Sequence, residues 1–233
     1  MDRITRSKLK TDRFAVEVEH SVEYVAEHKK QVMMYGAIAV AVACIIAGIW
    51  YYRDRQATAR QAELAQAMDI MQAPVGAGAV PGVLYFPSES LKTAAAEKAF
   101  KALNDKHSGT TEGIVAASYL GAISNDLGKL ADAEKYFKQV ADFSDEKYAS
   151  MGKLSLAQVL LTTGRTADAE KLLRSLYEKP TMFVSKEQAA IALARALAVS
   201  KPAEARKLLE PLRTERPAVS QLAITLLSEL PPQ

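Results

Sequence analysis

Apolar residues fall along this chain in two unlike patterns. From Val32 to Tyr52 they form a single run of 21 residues without a charge, VMMYGAIAVAVACIIAGIWYY. As a helix that run is about 31 Å long, close to the hydrocarbon thickness of a bilayer. Lys29 and Lys30 close one end. Arg53 and Arg55 close the other, directly after Trp50, Tyr51 and Tyr52, whose amphipathic rings favour a membrane interface. Core helices seldom run so far without a charge, and a cleaved signal peptide has a shorter lead and a small-residue site after its apolar part. The pattern therefore predicts a retained transmembrane helix over residues 32–52.

Elsewhere the apolar positions recur at helical spacing. In the lead, Phe14, Val18, Val22 and Val25 fall on one face and predict a short amphipathic helix in the tail, residues 1–31. Gln56 to Gln72 reads as a helix leaving the span. Pro74 to Leu91 holds three prolines and three glycines in eighteen residues and reads as a loop, closing a segment 53–91. Within it Val83-Leu84-Tyr85-Phe86 is apolar enough either to tuck against the fold or to meet a partner.

From about residue 92 to residue 233 the pattern itself repeats. Gly128-Lys129-Leu130-x-x-Ala133-x-x-x-Phe137 is followed by Gly164-Arg165-Thr166-x-x-Ala169-x-x-x-Leu173 and then Ser200-Lys201-Pro202-x-x-Ala205-x-x-x-Leu209. The alanines stand 36 residues apart, and a looser copy, Ala96-x-x-x-Phe100, lies 37 residues before Ala133. Such spacing suits helical hairpins. A tight turn ends one helix, a small residue lets two backbones approach, and a large one fills the space a turn later. Leu120-Gly121, Leu156-Ala157 and Ala192-Leu193 hold the matching places on the first helix of each pair. Ser185-x-x-Gln188 reads as a capping box. Ala218 to Leu230 predicts a capping helix at the end of the array.

These residues resemble the tetratricopeptide repeat, whose usual period is about 34. The expected fold is therefore all-α: one N-terminal transmembrane helix, then a tetratricopeptide-like solenoid with a C-terminal capping helix. By alignment with the repeat, a concave partner-binding face built from first helices would include Ser118, Ala122, Asn125, Met151, Leu154, Gln158 and Ala194. In the span, Ala39, Ala43 and Ala47 form a small-residue stripe suited to helix packing, in a homodimer or against a foreign helix.

Composition sharpens this. The chain has 233 residues, 24% charged and 49% hydrophobic, with net charge +3. Its mean hydropathy of −0.06 is an average over a very apolar span and a nearly neutral remainder. Residues 53–233 carry 23 basic and 21 acidic residues, and the alternation seen in Glu134-Lys135 and Glu170-Lys171 reads as a solvated face, so no nucleic-acid partner is expected. The single cysteine, Cys44, lies inside the span and excludes an intramolecular disulfide. The chain shows no phosphate-binding glycine loop, no HExxH and no GxSxG, and His107 has only a helix-end setting, so neither enzyme chemistry nor a cofactor or metal is expected. Residues 1–30 carry seven Lys and Arg, which places the N-terminus inside and the repeats outside, in the periplasm of a Gram-negative cell.

The full order resembles the ancillary SecYEG translocon-subunit family of bacterial inner-membrane proteins. The residues that carry the likeness are Tyr24-Val25-Ala26-Glu27-His28-Lys29-Lys30 before the span, Gly48-Ile49-Trp50-Tyr51-Tyr52-Arg53 at its end, and Arg60-Gln61-Ala62 beyond. The resemblance implies a scaffold for newly exported proteins, whose partners are Sec translocon components, exported chains and a periplasmic chaperone. The alternative is an envelope-assembly adaptor that holds an outer-membrane or cell-wall machine at the inner membrane.

Overall fold

The computed structural model describes residues 28–76, 82–215 and 217–231. Every regular element among them is helical, apart from one isolated β-bridge. The tail helix expected over residues 13–30 lies outside the described residues except at its last few. The chain divides into two units, Met1–Thr58 and Ala59–Gln233.

Helix α1, Lys29–Gln72, is 44 residues long and contains the whole apolar run, so the span and the helix expected after it are one element. In the first unit the side chains of residues 33–52 are exposed, Ile45 at 62% and Trp50 at 71%. Exposure of so many large apolar groups in water is unfavourable, and a hydrocarbon surround removes the cost. At its end the Arg55 Nε donates to the Tyr51 hydroxyl at 3.1 Å, and Gln56 donates to the Tyr52 hydroxyl at 3.0 Å. These ties hold the polar tips of the ring belt together.

The second unit is an array of antiparallel helices. The close of α1 is followed by α2 (Glu89–His107), α3 (Thr111–Asp126), α4 (Leu130–Ala141), α5 (Glu146–Thr162), α6 (Thr166–Glu178), α7 (Lys186–Leu197), α8 (Pro202–Glu215) and α9 (Pro217–Glu229). From α2 onward each helix packs on the next, and α3, α5, α7 and α9 also touch in succession. The helices thus form two layers, with α3, α5, α7 and α9 in one and α2, α4, α6 and α8 in the other.

The repeated small residue explains the spacing. Ala96, Ala133, Ala169 and Ala205 have no exposed surface, and Phe100, Phe137, Leu173 and Leu209 are all buried one turn later. Volume is traded between the facing positions. A side-chain carbon added at Gly121 would fall 2.6 Å from the Phe137 ring, whereas in the next pair Ala157 takes the place of Gly121 and Leu173 that of Phe137. The looser copy at Ala96 belongs to the array as well. Ala67 from the close of α1 packs with Ala96, Phe100, Leu103 and Leu120 in one core cluster, so the first pair is α1 with α2.

Turn chemistry differs between the two kinds of junction. Gly128 and Gly164 have φ of +71° and +77°. Lys129 N–H donates to the Ser124 carbonyl and Arg165 N–H to the Leu160 carbonyl, both at 2.8 Å, which closes each helix as a Schellman motif. The helices that follow, α4 and α6, have no side-chain cap; Asp132 and Asp168 in their first turns face the helix dipole instead. The junctions between successive pairs use side-chain caps: Thr110 accepts from Gly113 N, Asp145 from Lys147 N, and Ser185 from Gln188 N as expected. At the third turn, Ser200 stands where glycine stood, and no residue there takes positive φ. Gly164→Ala is expected to cost about 1 kcal/mol because it forces a Cβ into the left-handed region, while Ser200→Ala is expected to be close to neutral. Thermal unfolding of the two variants in detergent micelles checks the contrast.

The proline-rich loop begins after Ala73 and ends at Ser88, which caps α2, so that helix starts at Glu89, within the segment the sequence assigned to the loop. Phe86 N–H donates to the Pro74 carbonyl at 3.1 Å and Gly76 N–H to the Phe86 carbonyl at 3.3 Å, pinning the two loop ends as a parallel bridge. Tyr85 and Phe86 are half-buried, and Val83 and Leu84 are exposed.

Candidate partner-binding groove

Because α3, α5, α7 and α9 lie side by side, the shallow spaces between them form grooves on one face. The largest, about 520 Å³, lies over α5, α7 and α9. Its walls are apolar: Leu154, Ala157, Leu161, Leu173, Ile191, Ala192, Val219 and Leu222. Ser185, Gln158 and Gln188 supply neutral hydrogen-bonding groups, and Arg195 is the one charged residue on its lining. A second cavity of about 340 Å³ lies between α3 and α5, lined by Val115, Ser118, Tyr119, Ala122, Phe137, Met151, Gly152 and Ser155, with no charge at all. The Tyr119 ring in that wall is backed by Phe100, stacked at 4.7 Å between centroids and 4° between planes. A third cavity, also about 340 Å³, lies between α7 and α9.

The residues expected on the concave face divide among these spaces. Ser118, Ala122 and Met151 line the α3–α5 cavity, and Leu154 and Gln158 line the largest groove. Asn125 is half-buried near the end of α3 and lines none of the three. Ala194 is only 1% exposed and lines the third cavity, where α7 meets α8 and α9. Ala39, Ala43 and Ala47 lie on the exposed part of α1. The sequence reading missed the share of the groove supplied by α9. Val219 and Leu222 follow helical spacing and were legible as apolar positions, but α9 takes the place of a further first helix, and so lines the groove as well as closing the core.

The opposite layer carries a ladder of ion pairs. Lys129 meets Glu97 at 3.7 Å, Arg165 meets Glu134 at 2.6 Å, and Lys201 meets Glu170 at 2.8 Å. Each rung joins the residue after a repeat turn to the glutamate after the buried alanine of the preceding pair. Arg174 adds a crosslink, bonding Glu170 at 2.8 Å and Glu204 at 2.6 Å. Glu134 and Glu170, read from the sequence as part of a solvated face, therefore tie successive repeats together. The signal was present: basic residues at 129, 165 and 201 share the repeat period. Near the first pair, Glu63 accepts from Lys106 at 2.6 Å and lies 3.2 Å from His107 Nε2, and Arg60 pairs with Glu112 at 3.2 Å. His107, expected to serve at most as a helix-end group, instead fastens α2 to the close of α1.

The Lys201 ammonium, and after it the Arg174 guanidinium, hold the Glu170 carboxyl below its ordinary range. A carboxylate with a lowered folded-state value stabilises the fold above its unfolded pKa and loses that contribution as pH falls through the folded value. Glu170→Gln is accordingly expected to lower the melting temperature modestly at neutral pH. The gap to the natural protein should close as pH drops below about 4.3, which thermal melts across that range measure.

Among the described residues, no group of three or more His, Cys, Asp or Glu side chains is placed to hold a metal ion. The geometry offers apolar walls, neutral amides and an open face. A family model for the tetratricopeptide repeat-like domain matches residues 24–210. The chain belongs to that family. No curated protein and no solved structure matches the chain. Tetratricopeptide-like domains are in general non-catalytic modules that bind other proteins, and the match takes in the apolar part of α1 together with the repeats through α8. One apolar helix near the N-terminus is long enough for single-pass anchoring.

Proposed function

We propose that this chain is a membrane-anchored scaffold whose groove face holds segments of other proteins, and that it serves newly exported chains beside the Sec translocon together with periplasmic chaperones. The observation that carries the reading is the chemistry of the groove face. Two cavities along α3, α5, α7 and α9 are lined by apolar groups and neutral amides, with a single cation and no carboxylate. Such a lining gains from burying apolar side chains of varied shape and demands little of their exact sequence. A scaffold for chains still unfolded needs that tolerance.

In this reading the N-terminal tail is cytoplasmic and the repeats are periplasmic. The basic residues of the short tail favour that orientation, and the Trp50–Tyr52 belt marks the outer interface. Reporter fusions after residue 60 and at the C-terminus test it: periplasmic activity at both is expected, and cytoplasmic activity at either contradicts it. Purification after mild solubilisation tests the partner. Sec components are the expected co-purifying proteins. Recovery of cell-wall or outer-membrane assembly proteins in their place would favour the envelope adaptor and overturn the translocon role.

A further inference from the structure

Arg195 lines the largest groove beside Ile191 and Leu222, and it lines the neighbouring α7–α9 cavity as well. It is exposed. The other described arginines of the repeat unit all have partners: Arg60 on Glu112, Arg165 on Glu134, Arg174 on Glu170 and Glu204, Arg206 on the Pro231 carbonyl, and Arg213 on Glu210. Arg195 has no ion-pair partner among the described residues. Glu229 borders only the smaller cavity and makes no ion pair with it. An apolar groove that ends at an unpaired guanidinium is the complement of an apolar surface that ends at a carboxylate.

The form of the occupant follows from the walls. A volume of about 520 Å³ takes about three large aliphatic side chains, the number an amphipathic helix presents at i, i+4 and i+7. Gln158 and Gln188 on the lining give a polypeptide hydrogen-bonding partners that an acyl chain could not use. We propose that the groove over α5, α7 and α9 receives an amphipathic helical segment of a partner protein, its apolar stripe bordered by one Asp or Glu, and that Arg195 selects for that carboxylate. This rests on the groove being the partner site.

The test uses the full chain in detergent micelles and labelled alanine-based peptides of about 14 residues, long enough to populate a helix. All carry leucines at i, i+4 and i+7. One has a Glu a turn beyond the last leucine, the second has Gln there, and both end in an amide. Fluorescence anisotropy is expected to give about 5–10-fold tighter binding of the Glu peptide, as a charge-assisted contact at a partly apolar site allows. In Arg195→Gln that preference should vanish while the Gln peptide keeps its affinity. Equal affinity of the two peptides for the natural protein, or a preference that survives in Arg195→Gln, overturns the selection and leaves the groove reading standing. Failure of both peptides to bind overturns the groove reading and this inference with it. A third peptide, with Gln and a free C-terminal carboxylate, is expected to bind like its amide. If it matches the Glu peptide, the anion is a chain end and the side-chain assignment is wrong.

Discussion

Phe100→Ala is expected to destabilise the repeat unit by about 3–5 kcal/mol, the usual cost of emptying a fully buried aromatic site. Phe100 has no exposed surface. It packs with Ala67 of α1 and Leu120 of α3, and stacks on Tyr119. These neighbours come from two other helices, so collapse around the void must move whole elements, which keeps the cavity open. Thermal unfolding in detergent micelles should show a fall of about 10 °C or more. The loss should concentrate at the first pair, because repeat stability is largely a sum of neighbour interfaces. Hydrogen exchange would then rise first in α2 and α3. Val199→Ala, at a position 95% exposed, should leave the melt unchanged. Because Tyr119 also walls the α3–α5 cavity, Phe100→Ala should weaken partner capture there as well.

Gly152→Val is expected to cost about 3 kcal/mol or more, by the opposite mechanism. Here α5 lies against the end of α4 with no room for a side chain. A carbon added at Gly152 would fall on the backbone of Val140 and Ala141 and 2.8 Å from the Val140 side chain. Backbone cannot swing aside as a flexible side chain can, so the two helices must separate. Gly109→Ala is the control, since nothing lies within 4 Å of a carbon added there. Gly152 also lines the α3–α5 cavity, so its replacement should both unsettle the fold and alter the groove. A melt for Gly152→Val indistinguishable from that of Gly109→Ala would show that the close approach of α4 and α5 is not structurally required.

The repeat was legible because its cause is local. A small residue must face the neighbouring helix once per hairpin, and Ala133, Ala169 and Ala205 mark the period without any knowledge of the fold. The same holds for the Ser185 cap and the glycine turns, which depend on a few adjacent residues. The fastening of His107 to Glu63 was not legible, since 44 residues and a proline-rich loop separate them. The ion-pair ladder was half-legible: its basic residues recur at the repeat period, but which glutamate each one meets depends on how the repeats stack. The deep burial of Ala194 was not legible, since it depends on how α8 and α9 close over the end of α7 beside the cavity it lines. The groove role of α9 is a tertiary outcome. A helix that caps an array must bury one side, and its Val219 and Leu222 then join a surface that repeat spacing alone does not announce.

The groove-binding claim is tested most directly by a photo-crosslinking residue placed in the full chain in native membranes, at Gln158 and Ala122 on the groove face and at Lys171 on the opposite layer. Adducts with exported chains or Sec translocon components at Gln158 and Ala122, and none at Lys171, are expected. Adducts with those partners at Lys171 and none at Gln158 or Ala122 would contradict it.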